Sequence, residues 1–176
     1  DLKIENLWMP KIQTNTKTFE DVLDAVKNKG LKVTAPNKGD SFEIGRAKCE
    51  VMTDSILNKD NLNLSSIVIR LEFENNSFLF MGDAETANEK TRTWMKTDVL
   101  KVGHHGSNTS SSEDFLKQIN PTYAVIMAGK NNSYGLPKQK ILDRLTKIGA
   151  KVYRTVEEGT IMMISNGNNI EVKENT

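Results

Sequence analysis

Phe78-Leu79-Phe80-Met81-Gly82-Asp83-Ala84-Glu85 and Asp98-Val99-Leu100-Lys101-Val102-Gly103-His104-His105-Gly106-Ser107 are built alike. Each is an apolar run, then a glycine, then a residue able to hold metal or move a proton. Short apolar runs closed by glycine suit strands covered on both faces of a sheet, so Phe78 to Met81 and Val99 to Val102 read as buried strands. Such strands deliver polar residues to one sheet edge, where α/β proteins place their ligands. Here that edge would carry Asp83 and the chain's two histidines, His104 and His105. A neutral imidazole is a favoured ligand for zinc, iron or manganese, and a carboxylate can bridge two such ions. The plainer reading of each piece is a turn or a capped loop. On successive strand ends, the two pieces together point to a site.

Upstream, Ile4 to Met9 reads as a short strand closed by Pro10. Thr18-x-x-Asp21 resembles a capping box, and Phe19, Val22, Leu23 and Val26 share a face, which predicts a helix over 18–29 with Gly30 after it. Leu31 to Thr34 reads as a strand, and Ser41 to Ile44 with Ala47 to Thr53 as a hairpin around Gly45. Asp54 to Ser66 is an asparagine-rich loop. Ile67 to Phe73 is a strong strand, turned by Glu74-Asn75-Asn76-Ser77 into the Phe78 strand.

Downstream, the pattern predicts a weak amphipathic helix between Glu85 and Lys96, carrying Ala87 and Trp94. A second helix, capped by Ser111 and Ser112, turns Phe115, Leu116 and Ile119 inward. Tyr123 to Met127 is another buried strand. Pro137 is expected in the first turn of a helix over 137–148 with Ile141, Leu142, Leu145 and Ile148 on its face. Lys151 to Arg154, Thr160 to Ser165 and Ile170 to Lys173 are expected to complete the sheet. Hairpins and then βα units indicate an α/β chain with one mixed sheet flanked by helices, forming a single domain over 1–176.

Composition narrows the function classes. A chain of 176 residues, 37% apolar, can bury a core of its own. A net charge of +1 creates no global field toward nucleic acid or membrane. One cysteine, Cys49, excludes an internal disulfide and suits a buried strand. No apolar run approaches the length of a membrane span. The chain starts at Asp1 rather than Met, and Leu2 onward already reads as folded, so a piece of a longer protein is expected. Lys130, Lys138, Lys140, Arg144, Lys147, Lys151 and Arg154 face only Asp143 across their segment; the plain reading is a solvated face, the sharper one a phosphate-binding surface.

Taken in order, Leu79-Phe80-Met81-Gly82-Asp83, the Gly103-His104-His105-Gly106-Ser107 turn with its serine run, Asn132-Ser133-Tyr134-Gly135-x-Pro137, Val152-Tyr153-Arg154-Thr155 and Gly159-Thr160-Ile161 resemble the metallo-β-lactamase superfamily. Within it they are most similar to the branch containing the extracellular domain of a competence protein and its free-standing relatives. The resemblance implies an αββα sandwich of two similar halves with a metal site between them. It also implies that this chain is the C-terminal half, the family's His-x-His-x-Asp-His loop belonging before Asp1. The missing N-terminal half is then the expected partner, and apolar surface left without it would favour self-association. An extracytoplasmic or cell-surface location is favoured.

The resemblance further implies metal-assisted hydrolysis with zinc or manganese, of a phosphodiester such as DNA rather than a β-lactam. Asp83, His104 and His105 would be catalytic, with Asp83 and His104 holding metal. Gly106, Ser107 and Asn132 would bind substrate, the Gly106-Ser107 amides and hydroxyl steadying an anion. By itself the chain is expected to bind metal weakly or not at all. Where the family carries His between Gly135 and Pro137, this sequence has Leu136, and where Asp is common it has Val156. Leu136 motivates a rival of another class, a non-catalytic binding or scaffold domain that has lost its metal site.

Overall fold

The computed structural model describes residues 3–173, so the folded start expected at Leu2 lies outside them. Strands β1 (Leu7–Trp8) and β2 (Val33–Thr34) form a small parallel pair around helix α1 (Lys17–Asn28). The cap of α1 is Thr16, whose hydroxyl accepts from the Phe19 amide at 3.3 Å. The expected start at Thr18 is therefore displaced, because a capping oxygen reaches the amide three residues on and Thr18 lies inside the first turn.

The main sheet has seven strands in sequence order: β3 (Ser41–Ile44), β4 (Ala47–Val51), β5 (Ile69–Phe73), β6 (Asn76–Phe80), β7 (Val99–Lys101), β8 (Tyr123–Ile126) and β9 (Lys151–Arg154). Pairing is antiparallel from β3 to β6 and parallel from β6 to β9. This is the mixed α/β sheet the hairpin-then-βα pattern predicts. Its parallel half needs crossovers, which contain α2 (Thr86–Glu89), α3 (Glu113–Ile119) and α4 (Gln139–Lys147).

Register puts Leu79, Leu100, Ala124 and Val152 side by side on one face. The first three are buried against Phe115, Leu116 and Ile119 of α3 and Ile141 and Leu145 of α4. Each such large side chain contributes about 1.5–3 kcal/mol through burial. Phe80, Lys101, Val125 and Tyr153 line the opposite face, which is only half covered; Phe80 is 42% exposed.

Three elements depart from expectation. The helix expected from Glu85 to Lys96 stops after the four residues of α2. The Trp94 indole donates to the Glu89 carbonyl at 2.6 Å, taking the acceptor that another helical turn would need. Pro137 precedes α4 instead of opening it, because Lys138 is the cap and its amide donates to the Gly106 carbonyl at 3.0 Å.

The last two strands do not complete the main sheet either. Strands β10 (Met162–Ser165) and β11 (Ile170–Lys173) pair only with each other. After the short α5 (Thr155–Glu158), their hairpin tip is held on the β5–β6 turn: the Asn75 amide donates to the Gly167 carbonyl at 2.9 Å, and the Ser165 hydroxyl to Asn76 Oδ1 at 2.6 Å.

Candidate functional site

Strands β6 and β7 are parallel neighbours, so the residues just past them emerge at the same sheet edge. After β7 the chain makes a tight turn over Gly103–Gly106, in which His104 (φ 47°, ψ 45°) and His105 (φ 52°, ψ 24°) are both left-handed. A non-glycine residue held there costs about 1–3 kcal/mol, and such strain gathers at functional sites. The turn is held to β6's end by the His104 amide donating to the Gly82 carbonyl at 3.1 Å. Gly103 admits no side chain, since a Cβ would stand 2.8 Å from the Ala84 carbonyl.

The two imidazoles then part company. His105 Nδ1 lies 2.6 Å from the Met127 carbonyl, which can only accept, so Nδ1 carries a hydrogen. Its Nε2 faces Asp83 Oδ1 at 3.3 Å. His104 Nδ1 lies 3.3 Å from Glu85 Oε1 and 3.2 Å from the Thr109 hydroxyl, while its Nε2 accepts from the Asn63 amide at 3.3 Å. Glu85 is further held by Asn61 at 3.1 Å and Asn63 at 3.4 Å. Asp83 is thus brought to His105, while His104, which the sequence grouped with Asp83 as a metal ligand, has both ring nitrogens engaged by other residues.

Lys101 completes the edge, donating to the Gly82 carbonyl at 2.8 Å. Burial pushes its ammonium below the usual lysine range, and the Asp83 charge partly restores it. The remaining expected residues brace the turn. Ser107 gives its amide to the His104 carbonyl at 2.8 Å and shares its hydroxyl with Thr109 at 3.2 Å. Gly106 packs under Pro137, where an added Cβ would come within 2.7 Å. The side chain of Asn132 is taken up inside its own loop, bonded to the Gly129 carbonyl and to both backbone groups of Leu136 at 2.8–2.9 Å.

Sequence reasoning missed Glu85, Asn61, Asn63, Lys101 and Thr109. Glu85 stood two residues from Asp83 and the asparagines in a polar loop, but no local pattern links them.

A carboxylate and an imidazole of fixed tautomer suit zinc or manganese. Two ligands fall short of the three that a catalytic zinc usually takes from protein, and among the described residues no group of three or more His, Cys, Asp or Glu is arranged to hold an ion.

The mixed sheet with helices packed on one face, and acid and histidine residues at the ends of its parallel strands, matches a metallo-β-lactamase fold. The chain belongs to the metallo-β-lactamase superfamily, whose sequence profile matches residues 8–130. It is 36% identical over 163 residues to ComE operon protein 3 of Bacillus subtilis, covering 90% of this chain and 21% of that protein. It is 38% identical over 114 residues to Recombination protein 2 of Haemophilus influenzae, covering 64% of this chain and 14% of that protein. With competence protein ComA of Neisseria gonorrhoeae the identity is 36% over 104 residues, covering 56% and 15% respectively. Within the superfamily it therefore falls in the competence-protein branch, and it spans about a fifth or less of these relatives' length. Among the described residues no helix is long and apolar enough to cross a membrane.

Proposed function

We propose that this chain supplies Asp83, His104 and His105 to the centre of a metal-dependent hydrolase acting on a phosphodiester, with DNA as the substrate. One observation carries the reading: Asp83 Oδ1 and His105 Nε2 converge at 3.3 Å while the Met127 carbonyl keeps the hydrogen on Nδ1. Two Lewis bases meeting in this way need a positive charge between them, either a proton or a metal ion. Zinc or manganese matches the donors, and further ligands would come from sequence of the kind that the longer relatives carry.

When bound, such an ion supplies Lewis acidity, bringing the pKa of coordinated water down to ~7. The chain's own residues hold the reactants. Asp83 offsets positive charge at the strand end, and His105 is fixed in orientation by Met127. His104, held by Glu85 and Asn63, stands behind them as a positioning residue. Lys101 adds a cation beside Asp83 that favours an anionic substrate. The names of the relatives, competence and recombination proteins, support DNA.

A second reading, a scaffold domain without metal, is favoured by Leu136, since its side chain cannot bind a cation. Metal analysis of the full-length protein, with phosphodiesterase assays in zinc and manganese, separates the two. Bound metal and activity lost in Asp83→Asn support the hydrolase; no metal and no activity under any ion support the scaffold.

A further inference from the structure

The loop between β8 and α4 is fastened at both ends to the histidine turn. At its start the Met127 carbonyl accepts from His105 Nδ1, and at its end the Lys138 amide donates to the Gly106 carbonyl while Pro137 packs on Gly106. Between these points the three bonds of Asn132 stiffen it, and Lys138 Nζ donates to the Tyr134 carbonyl at 2.6 Å. This braced loop carries Tyr134, which at 77% is the most exposed large apolar side chain among the described residues. Tyr134 is three residues from Pro137, so its backbone lies within about 11 Å of chain from the turn. Met127 is 49% exposed, and Lys130 is exposed on the same loop. Among the described residues, no ring stacks on Tyr134.

An aromatic ring held in water by a stiff loop, with cations beside it, matches how single-stranded nucleic acid is gripped. Each base has a π face to stack, and the ammonium groups meet phosphates. A double-stranded duplex keeps its bases stacked on each other and offers no free face. We propose that Tyr134 is a stacking platform for a nucleobase of a single-stranded nucleic acid whose phosphodiester lies at the Asp83–His105 edge. The proposal rests on the phosphodiester reading above and adds a strand preference to it.

The test compares binding of oligothymidylate and of an abasic oligonucleotide of equal length to the full-length protein, by fluorescence anisotropy. The wild type should favour the base-bearing strand about tenfold, Tyr134→Ala should erase the preference, and Tyr134→Phe should keep it. Equal binding of both strands by the wild type, or a preference that survives Tyr134→Ala, overturns the proposal. Metal-dependent cleavage of the abasic strand by the wild type is read in parallel. Its absence in the wild type counts against the hydrolase reading, whatever the stacking result shows.

Discussion

His104 and His105 share one turn and one left-handed backbone conformation, yet they lie in opposite surroundings. The His105 side chain and its partner Asp83 are 43% and 40% exposed; the His104 side chain and Glu85 are 24% and 14% exposed. One pair is open and has a nitrogen to offer. The other is half hidden and tied on every side by Asn61, Asn63 and Thr109. On the proposed reading these two identical neighbours divide the work: His105 would meet the ligand, and His104 would hold the edge in shape.

The sharpest way to break this contrast is to remove each side in turn. In the full-length protein, Asp83→Asn and His105→Ala should each lower phosphodiester hydrolysis by about 100-fold or more, beyond the usual cost of losing an outer partner, and should lower bound metal in elemental analysis. His104→Ala should cost only about tenfold, with metal content kept. Equal losses from His104→Ala and His105→Ala would erase the distinction.

Glu89 holds the serine run that follows the histidine turn. Its carboxylate accepts from the Ser111 and Ser112 amides, and the neighbouring Ser110 hydroxyl donates to the Gly103 carbonyl at 2.8 Å, beneath the turn. Glu89→Gln leaves one amide without its acceptor and should cost about 1–3 kcal/mol in chemical denaturation.

Burial pushes the Glu89 carboxyl above the usual carboxylate range, opposed by the bonds from Ser112 and Ser111 and by the Arg144 charge. The folded state therefore holds that proton more tightly than the unfolded chain. The stabilising effect is full below the ordinary carboxylate pKa and is lost as pH rises through the raised value. Stability measured across that window should fall in the wild type and stay flatter in Glu89→Gln.

Glu85→Gln tests the hidden pair alone. One acceptor oxygen remains for Asn61, Asn63 and His104, so stability should drop by about 1 kcal/mol and hydrolysis by several-fold, with metal content unchanged. Leu136→His should do least. The Leu136 backbone is held by Asn132 whatever its side chain, so the variant should fold within about 1 kcal/mol of wild type. A new imidazole beside Pro137 should raise metal uptake modestly in a zinc titration.

Much of this was legible in the sequence because it depends on neighbours along the chain. An apolar run ending in Gly-Asp or Gly-His-His announces a strand and the polar residues at its end. Ser112 three residues before Phe115 announces a helix cap, and the structure places it there. The misread elements share a cause. Trp94 ends α2 by reaching back to Glu89, Gly106 draws Pro137 out of α4, and Asn75 and Asn76 hold the β10–β11 hairpin off the main sheet. Each partner comes from a different segment, and propensity and periodicity contain no term for it.

By itself, the sequence determined the mixed sheet, its edge and the kinds of side chain brought there, because two strands with the same ending must present those endings together when they pair in parallel. Only the tertiary structure decided which histidine faces Asp83. That choice rests on a carbonyl from β8's end, a carboxylate beyond β6 and two asparagines from the loop before β5, which meet at one turn. Their hydrogen bonds act over about 3 Å, a distance that has meaning only after the chain has folded.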